Sequence, residues 1–224
     1  MTLISSQDHA TLQTLFEREL QDDVTITYFT QHESPSMAPS QECDFCKDTR
    51  QLLEEVTSIS EKLHLVVKDF VGDEHEAQQQ GITHIPAFLL QGHAKGTVRF
   101  FGIPAGYEFS TLVEDLIDVS KGTTTLSEKT RTALSKVDQD VHLQVFVTPT
   151  CPYCPRAARI AHQMAIENEH ISADVIEASE FIDLAQRYQI QGVPKTIINE
   201  QHSFVGALPE PRVLQEILHA LAHG

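Results

Sequence analysis

Two Cys-x-x-Cys pairs, Cys43/Cys46 and Cys151/Cys154, and two x-Pro steps, Ile85-Pro86 and Val193-Pro194, recur at one and the same offset along the chain. Cys46 precedes Pro86 by as much as Cys154 precedes Pro194, and Asp69 and Glu177, separated by that same offset, each close an apolar run ahead of the proline. Three features sharing one period read as a duplicated unit. The period, about a hundred residues, far exceeds the roughly 20 to 50 of repeat arrays, and each copy is large enough to be a domain. The chain of 224 residues is therefore expected to hold two units, residues 1–121 and 122–224. Their joint, Ser120 to Thr125, is rich in Gly, Thr and Ser and short enough that the units should pack on each other.

Hydrophobic periodicity gives each copy the same alternation of elements. In the second, Leu126 to Val137 reads as helix, Val141 to Val147 as strand and Cys154 to Asn168 as a long helix. A strand at Ala173 to Ile176, a helix at Glu180 to Tyr188, strands near Thr196 to Ile198 and Ser203 to Val205, and a helix at Pro211 to Ala222 follow. The first copy repeats this, with a helix from Asp8, strand Val24 to Phe29, helix from Phe45, strand Leu65 to Phe70 and helix Asp73 to Gln80. Strands Ala87 to Leu90 and Thr97 to Phe101 and a helix Tyr107 to Val119 complete it. The order βαβ then ββα predicts an α/β fold, each unit a mixed β-sheet flanked by helices on both faces.

The net charge of -16, most of it carried by the first unit, disfavours nucleic acid and anionic membranes as partners, since both repel it. The opening residues lack the basic-then-apolar pattern of a secretion signal, and no run approaches the roughly 20 apolar residues of a membrane span. A cytoplasmic location is expected. All four cysteines fall in the two pairs, and such usage in a cytosolic chain points to redox catalysis or metal binding. The twelve histidines lack metal-ligand spacing, His219 and His223 included, and no Gly-rich loop follows a strand, so no bound metal, nicotinamide or flavin is expected.

A cysteine at a helix start has its thiolate stabilised by the dipole and free N–H groups, while a second cysteine one turn inside can reach back to the same sulfur. Cys43 and Cys151 are thus candidate nucleophiles, and Cys46 and Cys154 the resolving thiols. The alternative of another class is a structural zinc protein in which both pairs ligate one ion. Against it, the pairs lie about a hundred residues apart, far beyond the roughly 15 to 20 of such clusters.

The two sites carry different charges. Asp44 inside the first pair and Glu42 before it should raise the Cys43 pKa, whereas Arg156 and Arg159 follow the second pair and should favour the Cys151 thiolate. Cys151/Cys154 is expected to be the faster site and the stronger oxidant. If Phe29 and Phe146 are equivalent, the whole stretch Thr30 to Glu42 occupies the place that Val147 to Thr150 fills in the second unit, so a loop is inserted beside the first site.

Several segments resemble the glutaredoxin-like protein disulfide oxidoreductases, in which two thioredoxin folds are fused. They are Phe100-Phe101-Gly102-Ile103-Pro104-Ala105-Gly106, Asp115 to Ser120, Asp138-Gln139-Asp140-Val141, and Phe146-Val147-Thr148-Pro149-Thr150-Cys151-Pro152-Tyr153-Cys154-Pro155. The resemblance covers nearly the whole sequence. It implies reduction, oxidation or isomerisation of protein disulfides, with reducing equivalents drawn from NADPH through a thioredoxin reductase. It also implies that Ile85-Pro86 and Val193-Pro194 are cis x-Pro steps beside the cysteines, leaving Ile85 and Val193 free to bind an extended substrate. An electron relay to a dedicated peroxidase, such as a peroxiredoxin, is the other role it allows. Thioredoxins place a buried aspartate six residues before the first cysteine; Val145 stands there in the second unit, and Asp69 and Glu177 are candidate substitutes for proton transfer, with helix capping the competing role.

Overall fold

The computed structural model describes residues 2–31 and 43–223. The loop expected between Thr30 and Glu42 lies, from His32 onward, outside the described residues, and so does Glu42.

The elements of the first unit are α1 (Ser6–Glu19), β1 (Val24–Thr30), α2 (Cys46–Thr57), β2 (Leu63–Asp69), α3 (Glu74–Gln79), β3 (Ala87–Gln91), β4 (Thr97–Phe101) and α4 (Glu108–Lys121). The second contributes α5 (Glu128–Leu134), β5 (Val141–Val147), α6 (Cys154–Glu167), β6 (Ile171–Glu177), α7 (Ile182–Arg187), β7 (Lys195–Ile198), β8 (His202–Val205) and α8 (Glu210–His223). Local chemistry explains the boundaries. Ser5 accepts from the Asp8 N–H to start α1, and α4 stops at Gly122, whose φ of 65° suits a residue without Cβ. Cys46, Thr49, Leu52, Leu53 and Val56 recur along one stripe of α2 and bury it.

The strands form one mixed sheet in the order β2-β1-β3-β4-β6-β5-β7-β8. The two units join edge to edge: β4 pairs in parallel with β6, from Thr97 opposite Ser172 to Phe101 opposite Ile176. Alone, these strands would leave Phe100, Phe101, Val175 and Ile176 on open edges; pairing buries all four and satisfies their backbone groups. At Gly96 the chain runs against backbone carbonyls of Ala165, Asn168 and Ile171 and donates to Ala165 O at 2.9 Å, an approach any Cβ would block.

Alternate side chains point to opposite faces. Ile26, Tyr28, Phe88, Phe100, Val145 and Val175 belong to the core under α1, α2, α4, α5, α6 and α8. Phe29, Ala87, Phe101, Phe146, Ile176 and Ile197 lie under α3 and α7. With both faces covered, β1, β5 and β6 are buried along nearly their whole length.

Candidate active site

The register of the sheet establishes the correspondence between the halves. Phe29 pairs with Ala87 and Phe146 with Lys195, in each case the residue after the proline, so Phe29 and Phe146 are equivalent. β1, β4, β6 and β5 all run the same way. The loops that follow β1 and β5 therefore leave one edge of the sheet, and α2 and α6 cover the same face.

Each loop ends in a disulfide, Cys43–Cys46 and Cys151–Cys154, with Cα separations of 5.5 and 5.4 Å. Cys46 and Cys154 are the first residues of α2 and α6; Cys43 and Cys151 precede the helices by one turn, their carbonyls accepting from Cys46 N at 3.4 Å and Cys154 N at 3.3 Å. Cys154 is fully enclosed and Cys151 is 8% exposed, while Cys46 is buried and Cys43 half-buried. In both pairs the first cysteine is the more accessible. The peptides Ile85-Pro86 and Val193-Pro194 are cis. Both prolines are held alike: Gly102 N donates to Pro86 O and Gly206 N to Pro194 O, each at 2.8 Å, and the two glycines have φ of 94° and 95°.

The sites are four strand spacings apart, about 19 Å across the sheet. One zinc ion needs its sulfur ligands about 2.3 Å away, so it could not take both pairs.

The polar residues singled out by sequence have varied surroundings. Asp44 and Arg156 are exposed. Arg159 is engaged by α4: its guanidinium is bound by Asp115 and Asp118 and, at 3.0 Å, by Glu114, and these acids raise its pKa against burial. Its charge is directed to α4. Asp69 accepts from Gly72 N at 2.5 Å, and Glu177 accepts from Ser179 Oγ at 2.7 Å and Glu180 N at 2.8 Å, so each carboxylate shapes the turn leading to α3 or α7.

Two acids that sequence reasoning missed lie between the units, Glu108 buried and Glu180 half-buried. Glu108, at the start of α4, is 2% exposed; Oε2 accepts from Thr111 Oγ1 at 2.9 Å, Oε1 has no partner, and burial pushes its pKa up to about 7. Helices α4 and α6 run side by side, Asp115 meeting Arg159 and His162, and Asp118 meeting Gln163. That register, extended back, sets Glu108 level with Cys154. Tyr107 N, next to it, donates to Pro149 O at 3.0 Å in the loop before Cys151. The available signal was an acid heading the apolar spacing Leu112, Leu116 and Val119. Glu180 is the second: its Oε1 accepts from Ile103 N at 2.8 Å, its buried Oε2 has no partner, and burial with the nearby Glu177 pushes its pKa up to about 7.

Fold and site together define the class, a thioredoxin-like fold carrying two cysteine pairs, each closed as a disulfide. Residues 141–219 match the family model of the thioredoxin domain. More particularly, the fused arrangement is similar to a protein disulfide oxidoreductase from Aeropyrum pernix K1, with a TM-score of 0.85 and 28% identity over 96% of this chain and 93% of that one. The N-terminal domain of the alkylhydroperoxide reductase AhpF from Enterococcus faecalis shares the fold, with a TM-score of 0.84 at 21% identity over 96% and 99%. The F subunit of alkyl hydroperoxide reductase from Staphylococcus aureus is 25% identical over 179 residues, 80% of this chain and 32% of that protein. The chain spans about a third of the length of the curated relatives it matches. Among the described residues no helix is long and apolar enough to cross a membrane.

Proposed function

We propose that the protein catalyses thiol–disulfide exchange on protein substrates at both cysteine pairs. The Cys43 or Cys151 thiolate attacks a substrate disulfide, forms a mixed disulfide and releases one substrate thiolate, which takes a proton from solvent. The Cys46 or Cys154 thiol then gives up its proton and attacks the first sulfur, releasing the second substrate thiolate and closing the protein disulfide. Run backwards, the same steps oxidise a dithiol. The observation that carries this reading is the repeated construction: in both units the more exposed cysteine precedes a helix, its more deeply buried partner begins that helix, and the equivalent proline hangs on a glycine N–H.

Ile85, Pro86, Val193 and Pro194 bind the extended substrate backbone beside each pair. Glu108 takes the Cys154 proton, supported by its burial and its level on α4. Asp44 and Arg156 tune the accessible sulfurs from outside, while Asp69 and Glu177 serve mainly to build their turns. Electrons come from NADPH through a thioredoxin reductase, in the cytoplasm. A second reading, relay of those electrons to a peroxiredoxin, is favoured by the likeness to the F subunit of alkyl hydroperoxide reductase. Rates of insulin reduction and of peroxiredoxin reduction, driven by NADPH and a thioredoxin reductase, test both. Insulin turnover supports the general oxidoreductase, turnover confined to the peroxiredoxin supports the relay, and neither contradicts both.

A further inference from the structure

The position where Val145 stands in the second unit is held in the first by Tyr28, one residue before Phe29 in the equivalent strand. Tyr28 is fully buried and points to the face carrying α2, where its hydroxyl donates to the carbonyl oxygen of Cys46 at 2.6 Å. Neither residue can take a proton at neutral pH. Glu180, from the loop between β6 and α7 of the other unit, comes in behind this end of the first unit. Its Oε1 holds Ile103 N, and the preceding residue, Gly102, holds the carbonyl of Pro86, so the carboxyl lies directly behind the proline of the first site. A Cβ on Gly102 would come within 2.9 Å of that oxygen. The carboxylate also acts electrostatically on Tyr28, contributing with burial to holding its phenol protonated. One carboxyl oxygen remains buried without a partner.

We propose that Glu180, supplied by the C-terminal unit, accepts the proton of the Cys46 thiol when the N-terminal pair resolves a mixed disulfide. This rests on the reading of Cys43/Cys46 as an exchanging pair. One proton passes from Cys46 sulfur to the Glu180 carboxylate as the new Cys46–Cys43 bond forms, the bond from Cys43 to substrate sulfur breaks, and the substrate thiolate leaves. The disulfide substrate is reduced and the protein dithiol oxidised. An acid with a pKa of about 7 is matched to this duty at neutral pH. The groups around it are Glu177 from β6, which opposes its ionisation, Tyr28 from β1, and Arg50 from α2, which acts on Tyr28. Beyond the adjacent Phe181, His84 pairs with Asp183 of α7 at 3.4 Å. Together with the role given above to Glu108 toward Cys154, each unit then lends the other the acid its own strand lacks.

The test uses the full chain with the second site silenced (C151S/C154S) and follows release of a thiol dye from a mixed disulfide preformed on Cys43, between pH 5 and 9. The rate should show an inflection near pH 7. Glu180→Gln keeps an oxygen for Ile103 N–H but cannot take a proton; it should remove the inflection and slow release about tenfold or more at pH 7.5. Glu180→Asp should restore part of the inflection. Release at the second site, read in C43S/C46S, should be unchanged by E180Q. An inflection that survives in E180Q, or an equal loss at both sites, overturns the proposal. No release from C151S/C154S with Glu180 intact would instead overturn the reading of Cys43/Cys46 itself.

Discussion

The Tyr28 hydroxyl donates a 2.6 Å hydrogen bond to the carbonyl oxygen of Cys46, tying the end of β1 to the first residue of α2. A buried bond of this kind contributes about 1 kcal/mol net. Tyr28→Phe should lower stability by that order, read by denaturant unfolding, and slow exchange at Cys43/Cys46 while leaving Cys151/Cys154 unchanged.

Burial holds Glu108 partly neutral, with a pKa pushed up to about 7 against an unfolded value near 4.3. The native state thus binds a proton more tightly than the unfolded one, and the stability this provides is full below the unfolded value and lost as pH rises to about 7. Glu108→Gln should remove that decline and stabilise the protein by about 1 to 3 kcal/mol at pH 8. The same change should slow resolution by Cys154 by about tenfold or more. Unfolding curves at pH 5 and pH 8 and single-turnover rates check the two halves.

Arg99 of β4 and Asp174 of β6 form a buried pair across the seam at 2.6 Å, and His142 adds a second bond to Asp174 at 2.7 Å. Burial opposes both ionised forms, yet these bonds hold Asp174 below the usual carboxylate range, and Asp174 with Glu200 holds His142 above the usual imidazole range. The aspartate contribution is present above about pH 4 and lost as pH falls through its native value; the histidine contribution is full below about pH 6.5 and lost as pH rises through its own. Asp174→Asn should cost about 3 to 5 kcal/mol by stranding Arg99. His142→Asn should flatten the fall in stability above pH 6.5. Denaturant unfolding across the pH range reads both.

Arg159 compensates the buried acids Asp115 and Asp118 on α4. Arg159→Met should destabilise the fold by about 3 to 5 kcal/mol while leaving the alkylation rate of reduced Cys151 within about twofold, because the guanidinium is directed to α4. A large loss of Cys151 reactivity in a folded variant would restore this arginine to the role its sequence position suggested.

The repeat made much of the fold legible. β5 was expected at Val141 to Val147 and lies there, because Val141, Leu143 and Val145 alternate toward one face and Phe146 and Val147 extend the apolar stretch. α7 is shorter than its periodicity suggested, Ile182–Arg187 in place of Glu180 to Tyr188, since Glu180 is drawn inward by Ile103 N. The joining of β4 to β6 was not readable, because the same apolar pattern fits a strand at the border of its own small sheet. The cysteines and prolines were legible through their spacing; Glu108 and Glu180 were not. Each acquires its surroundings from packing between the units, Glu108 from His162 of α6 and Glu180 from Ile103 N, and no spacing within either repeat records that.

Trapping of substrate on resolving-cysteine variants addresses the central claim most directly. C46S and C154S, reduced and mixed with a protein disulfide, should each accumulate a mixed disulfide, on Cys43 and Cys151 respectively, identified by mass spectrometry of the peptides and reversed by dithiothreitol. Absence of an adduct at both cysteines, with the variants folded and their thiols free, would contradict the assignment of this chain as a two-site exchanger.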